Sequence, residues 1–150
     1  IRYPRGRGIT VDWQKPFEVI EIGIGKCLKQ GTKTAVISSG TIGNNVIEAF
    51  SKMENTDAFA HYDFAFVKPL DEKLLHLIFN TYQSIITIED GAIKGGFGSA
   101  IVEFSKEHDY TTPIKTLGIP DQFIEHGSIA ELQKLCGIDM ESLMVVLKNA

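Results

Sequence analysis

Three arginines, Arg2, Arg5 and Arg7, crowd into the first seven residues of this 150-residue chain. A guanidinium offers parallel N–H donors that match a phosphate, so it binds that group bidentately. Pro4 stiffens the backbone between Tyr3 and Arg5 and would fix where Arg5 points. The plainer reading of the same stretch is a solvated basic linker. Two adjacent carboxylates, Glu89 and Asp90, could work as acid and base. Neighbouring strand residues face opposite sides, however, so the pair would not converge on one substrate; a solvated or helix-capping role is expected. Gly95-Gly96-Phe97-Gly98 could offer backbone N–H groups to an anion at a helix N-terminus. It lacks the spacing and third glycine of the dinucleotide fingerprint, so it reads first as a tight strand-to-helix turn. Ser39-Gly40-Thr41 is a third candidate segment, because open α/β sheets bind ligands beyond their strand ends. His61, His76, His108 and His126 lie at no metal-ligand spacing, and His76 and His108 are expected at the surface. There is no Gly-x-Ser-x-Gly elbow and no Cys/His nucleophile signature. The residues alone define no self-contained active site. A free-standing enzyme working from Glu89 to Gly98 is the weaker alternative.

The elements that would position these residues follow from periodicity. Residues 1–16 hold no sustained period and read as an extended linker, with a preceding strand ending at Ile1 to Tyr3. Ile20 to Ile24 alternate apolar and polar as a strand does, and Gln30-Gly31-Thr32 is turn chemistry. With the β-branched run Thr34 to Ser38, this predicts an antiparallel hairpin leading into a sheet. Val46, Ile47, Phe50 and Met53 share one helical face. Ala58 to His61 reads as a strand. Asp71 is a predicted N-cap for a helix with an apolar stripe of Leu74, Leu77, Ile78 and Tyr82. Ser84 to Ile88 is a buried-type strand ended by Glu89-Asp90-Gly91. The next helix carries Phe97, Ile101 and Phe104, and Pro113 to Leu117 make a last strand. Ser128 caps a helix that Gly137 stops, and Met140, Leu143, Val146 and Leu147 mark a final one. Strands separated by helices imply βαβ units. The expected fold is a three-layer α/β/α domain with a mostly parallel sheet of about five strands and one antiparallel strand.

Composition excludes several classes. Apolar residues make up 43% and the net charge is −4, which together do not suit a disordered chain. No stretch approaches the ~20 apolar residues of a membrane span. The acidic balance argues against a nucleic-acid partner. Cys27 and Cys136 stand far apart, in no Cys-x-x-Cys pattern, and suit a reducing compartment, the cytoplasm. The chain opens Ile1-Arg2-Tyr3 without an initiator Met or a signal-peptide pattern, so it is expected to be a piece of a longer protein.

Five blocks, in order, carry a family resemblance. They are Arg2-Tyr3-Pro4-Arg5-Gly6; Phe66-Val67-Lys68-Pro69-Leu70-Asp71; Ile86-Thr87-Ile88-Glu89-Asp90-Gly91; Gly95-Gly96-Phe97-Gly98-Ser99-Ala100; and Leu117-Gly118-Ile119-Pro120-Asp121 with Phe123-Ile124-Glu125-His126-Gly127. Together they resemble the C-terminal region of the 1-deoxy-D-xylulose-5-phosphate synthase family, within the transketolase superfamily. Two departures stand out. Ala65 occupies the position before Phe66 where the family usually has Arg, and Asp90 replaces the common second Glu.

The resemblance implies a transketolase C-terminal domain at residues 17–150, with residues 1–16 closing a preceding pyrimidine-binding domain. It implies a cytoplasmic homodimer that joins pyruvate to glyceraldehyde 3-phosphate with loss of CO2, on the way to isoprenoid, thiamine and pyridoxal precursors. Thiamine diphosphate and Mg²⁺ would be held by upstream domains of the same chain, with neither bound by this piece. The second arginine of the first block, Arg5, would contact the acceptor's phosphate, with Arg2 a weaker substrate-binding candidate. No catalytic, cofactor or metal residue is implied within the piece. The piece alone is expected to be inactive. Alternatives are the C-terminal domain of a transketolase or of a 2-oxo-acid dehydrogenase β-subunit, or a dimerisation or regulatory module.

Overall fold

A computed structural model describes residue 16 and residues 18–150. Arg2, Arg5 and Arg7 lie outside the described residues. So does the strand end expected at Ile1 to Tyr3.

The described chain runs β1 (Lys26–Lys29), β2 (Thr34–Ser39), α1 (Gly43–Lys52), β3 (Phe59–Asp63), α2 (Glu72–Thr81), β4 (Ser84–Ala92), α3 (Phe97–Glu107), β5 (Ile114–Ile119), α4 (Ile129–Leu135) and α5 (Met140–Lys148). The sheet order is β1-β3-β2-β4-β5. β2 lies parallel to β3 through Ala35↔Ala60 and to β4 through Ala35↔Ile85, and β4 lies parallel to β5. β2 is covered on both faces, so its run is mostly apolar or β-branched, and Thr34 to Ser38 are all buried. Residues alternate between the two faces. Ala35, Ile37, Ala60, Tyr62 and Ile85 meet Leu75, Ile78, Phe79, Ile101 and Phe104 from α2 and α3. Val36, Phe59, Ile86 and Ile88 meet Val46, Ala49, Leu143 and Leu147 from α1 and α5. Each Val, Leu, Ile or Phe among them contributes about 1.5–3 kcal/mol by leaving water. The result is the expected three-layer domain with one antiparallel strand. No described helix is long and apolar enough to cross a membrane.

The caps read from sequence are present. Asp71 Oδ1 accepts from Leu74 N at 2.9 Å, and its Oδ2 accepts from Gly25 N at 3.0 Å, so one carboxylate starts α2 and pins the approach to β1. Ser128 and Glu131 form a reciprocal capping box on α4. Gly137 follows α4 at φ +69°.

Four expectations are corrected. The Ile20–Ile24 run is not a strand: residues 22–23 turn, with Gly23 at φ +75°, and the first strand starts at Lys26. Val19, Ile20 and Ile22 are left exposed. There is no β1–β2 hairpin. β1 runs antiparallel to β3, pairing Cys27 with Tyr62, because β3 and β4 already occupy both edges of β2. The buried stripe of α2 is Leu75, Ile78 and Phe79, whereas Leu77 faces solvent, a shift in helical phase. β4 does not stop before Glu89. It continues to Ala92 across an irregularity and resumes pairing at Ala92↔Ile119.

Candidate functional site

Strand order reverses around β2, whose neighbours β3 and β4 lie on opposite sides. Open α/β sheets hold ligands at such a reversal, beyond the carboxyl ends of the strands. Ser39 and Glu89 are register partners there, so the structure brings Ser39-Gly40-Thr41 and the Glu89 segment to one edge. Asp63 ends the adjacent strand β3. Burial pushes its carboxyl up, against the opposing pull of the Lys26 charge and the Gly40 backbone N–H.

Glu89 is 7% exposed and its carboxylate is fully engaged. Oε2 accepts from Phe97 N at 2.9 Å and Oε1 accepts from Gly98 N at 2.8 Å. Those are the free N–H groups of the first turn of α3, whose N-cap Gly96 has no side chain to satisfy them. The anion at this helix N-terminus is therefore the chain's own carboxylate, where the helix dipole favours it. The helix-capping reading of Glu89 is correct and its solvated alternative is not. Asp90 is exposed, so the two acids do not converge. The glycine run is a tight turn for a steric reason. A Cβ on Gly96 would lie 2.2 Å from Ala92 O and 2.3 Å from Glu89 Oε2. Gly96→Ala is expected to destabilise the domain by about 3 kcal/mol, the upper range for overpacking, measured as a shift in the urea midpoint. A midpoint within error of the parent would show that this turn has slack.

A second constellation escaped sequence analysis. Ser38 Oγ and His61 Nε2 share a hydrogen bond of 2.8 Å beneath the start of α1. Hydroxyl and imidazole at that distance resemble a nucleophile and its base. Both are sealed, at 0% and 1% exposure, so the pair serves the core and not a substrate. No local pattern could have revealed it, because the two residues are 23 apart and meet only through parallel pairing of β2 with β3.

Burial pushes the His61 imidazole down to about 4 from an ordinary 6.5. Between those values the unfolded chain holds a proton that the folded chain does not. The contribution of neutral His61 is therefore complete above pH 6.5 and is lost as pH falls toward 4, by about 1.4 kcal/mol per pH unit. Urea unfolding at neutral and mildly acid pH should show this slope, reduced in His61→Gln. An unchanged slope in that variant would assign the acid sensitivity elsewhere.

The remaining histidines play other parts. His76 is half-buried, contrary to the surface expectation, with Nδ1 2.8 Å from Tyr110 Oη and its ring 5.0 Å from that of Phe104. His108 is exposed and stacks on Phe104 at 4.3 Å. His126 is exposed. Ala65 is exposed as well. Beyond the ends of β4 and β5 lies an open groove of about 570 Å³, floored by Ala92, Ile119, Pro120 and Ile124 with Phe123 beside it.

These residues do not fit a diphosphate with its metal ion. Among the described residues no group of three His, Cys, Asp or Glu is placed to hold a metal, and the α3 N-terminus already carries Glu89. Arg2 and Arg5, the substrate-binding expectations, lie outside the described residues.

Comparison with known proteins gives a consistent picture. The family described as "Transketolase, C-terminal domain" matches residues 23–143. A 1-deoxy-D-xylulose-5-phosphate synthase of Bacteroides thetaiotaomicron is 52% identical over 95% of this chain and 22% of that protein. One from Parabacteroides distasonis is 53% identical over 99% and 24%, and one from Vibrio vulnificus is 38% identical over 99% and 23%. The chain thus spans about a quarter of the length of the curated relatives it matches. Among solved structures, a split-gene transketolase described as an inactive beta4 tetramer superposes with TM-score 0.78 at 27% identity, covering 87% of this chain and 43% of that one. A Campylobacter jejuni transketolase, at TM-score 0.57 and 17% identity over 84% of this chain and 18% of that one, shares the fold.

Proposed function

The chain belongs to the transketolase C-terminal domain family, and from that premise we propose that it is the C-terminal part of a 1-deoxy-D-xylulose-5-phosphate synthase. The observation that carries this reading is identity of 52–53% to proteins of that name along nearly the whole chain. The long polypeptide would join pyruvate to glyceraldehyde 3-phosphate, releasing CO2 and forming 1-deoxy-D-xylulose 5-phosphate for isoprenoid, thiamine and pyridoxal precursors. Thiamine diphosphate supplies the carbon–carbon bond chemistry in such enzymes and would be held, with Mg²⁺, by upstream domains.

In this reading, residues 1–16 end the preceding domain and residues 17–150 form the domain described here. Arg5 reads the acceptor's phosphate, with Arg2 in a lesser substrate-binding role. The rest of the chain is scaffold. The fit of a support role is physical: the carboxylate at the sheet's carboxyl edge is committed to a helix, and the Ser38–His61 pair is sealed. The long polypeptide would act as a homodimer in the cytoplasm.

The test compares the natural long polypeptide with the 150 residues alone, each given thiamine diphosphate, Mg²⁺, pyruvate and glyceraldehyde 3-phosphate. Release of CO2 and formation of deoxyxylulose phosphate are expected from the former only. Calorimetry should show no tight binding of thiamine diphosphate to the latter. Turnover by the short chain would overturn the assignment of the chemistry to upstream domains.

A further inference from the structure

We propose that His76 and His108 form a two-imidazole site for a late first-row divalent metal ion, Zn²⁺ or Cu²⁺, bound through their Nε2 atoms and completed by water. The site does not depend on which reaction the longer polypeptide performs.

The two residues come from different elements. His76 stands within α2, and His108 is the C-cap of α3. They meet because α2 and α3 pack on the same face of the sheet, around Phe104. The ring of His76 lies 5.0 Å from that of Phe104 and the ring of His108 lies 4.3 Å from it, so one buried phenyl ring seats both imidazoles. Their own ring centres are 4.7 Å apart, with the planes at 79°. Two imidazoles that share one ion at about 2.0–2.1 Å per nitrogen, at right to tetrahedral angles, hold their ring centres about 4.5–5 Å apart. The observed spacing is the one that a shared ion requires.

Hydrogen bonding leaves the outer nitrogens available. His108 Nδ1 lies 3.0 Å from Phe104 O. A carbonyl only accepts, so Nδ1 carries the proton and Nε2 of the neutral ring keeps its lone pair. His76 Nδ1 lies 2.8 Å from Tyr110 Oη, which also accepts from Asn80 Nδ2 at 3.2 Å. With Nδ1–H donating to that oxygen, His76 Nε2 has its lone pair free for an ion as well. Neither Nε2 bonds within the chain. Thr87 Oγ1 is the one buried side-chain polar atom without a partner among the described residues, so His76 Nε2 reaches solvent. Metal-binding imidazoles are oriented in this way, through a bond from the second ring nitrogen.

Ligand chemistry selects the ion. Imidazole suits Zn²⁺ and Cu²⁺, whereas Mg²⁺ takes oxygen ligands. Among the described residues no third His, Cys, Asp or Glu joins the pair, so water fills the remaining positions and the ion exchanges with solvent, unlike one in a closed four-ligand site. The eleven residues of α3 span about 16 Å, which separates His108 from the Glu89-capped end of that helix. An ion there ties α2 to α3 and leaves the carboxyl edge of the sheet untouched.

The natural full-length polypeptide, with excess Mg²⁺ to fill its oxygen sites, is titrated with Zn²⁺ against a chromophoric chelator. Wild type is expected to bind one more ion per chain than the double variant His76→Gln/His108→Gln. Tyr110→Phe, which removes only the orienting hydroxyl, should weaken that ion's binding about tenfold. His108→Gln, at an exposed position, should weaken it further. With Cu²⁺, electron paramagnetic resonance should show coupling to two imidazole nitrogens in wild type and to one in His108→Gln. Equal uptake by wild type and the double variant overturns the proposal. So does uptake that survives His108→Gln and is abolished by Cys27→Ser or Cys136→Ser. A packing role alone would leave metal affinity unmoved in Tyr110→Phe, and that result also overturns it.

Discussion

Replacing Glu89 with alanine is expected to cost this domain about 4 kcal/mol of stability, in the range for removing one partner of a buried charged arrangement. The change strips acceptors from Phe97 N and Gly98 N, which sit at 2.9 and 2.8 Å from the carboxylate, and leaves both N–H groups facing a void. Hydrogen bonds to charged groups are worth about 1.5–3 kcal/mol each, and a buried donor without a partner forfeits its hydration as well. Glu89→Gln fills the same space but turns an amide N–H₂ toward backbone donors, so an intermediate loss of about 2 kcal/mol is expected. Urea midpoints read both losses, and amide exchange locates them: Phe97 to Ala100 should lose protection before β2 does. Stability unchanged in Glu89→Ala would mean that α3 finds another cap, and that the carboxylate is free for other work.

Arg5→Ala, made in the long polypeptide, is expected to raise KM for glyceraldehyde 3-phosphate about tenfold to a hundredfold and KM for pyruvate little. Losing a charge-assisted contact costs about 1.5–3 kcal/mol, which corresponds to that span. The asymmetry is the informative quantity, because glyceraldehyde 3-phosphate bears a phosphate and pyruvate does not. Arg5→Lys should recover part of the loss, since an ammonium retains charge but not the bidentate fork. Parallel increases for both substrates would show that Arg5 acts on the architecture of the site instead of on the phosphate.

Much of the fold was legible because its signals are local. The apolar periods of α1 and α3, the β-branched runs of β2 and β4, and the caps Asp71 and Ser128 each depend on a few neighbouring residues. Where neighbours mislead, the reading failed. Ile20 to Ile24 alternate as a strand does, yet the turn at Gly23 and the pinning of Gly25 by Asp71, 46 residues away, break the run. The apolar spacing puts Leu77 on the buried stripe of α2 and leaves Leu75 off it, because several apolar residues in a row do not define a helical phase; contact with the sheet does.

By itself the amino-acid sequence determined the class of the domain, most of its elements and caps, and its family, through ordered blocks that need no coordinates to align. Only the tertiary structure decided which strand β1 joins, that Glu89 spends its charge on α3, and that Ser38 and His61 meet in a sealed core. The physical reason is range. Periodicity and capping act within one or two turns of chain, whereas these outcomes depend on strand order and on which surfaces pack once distant segments have closed into the sheet.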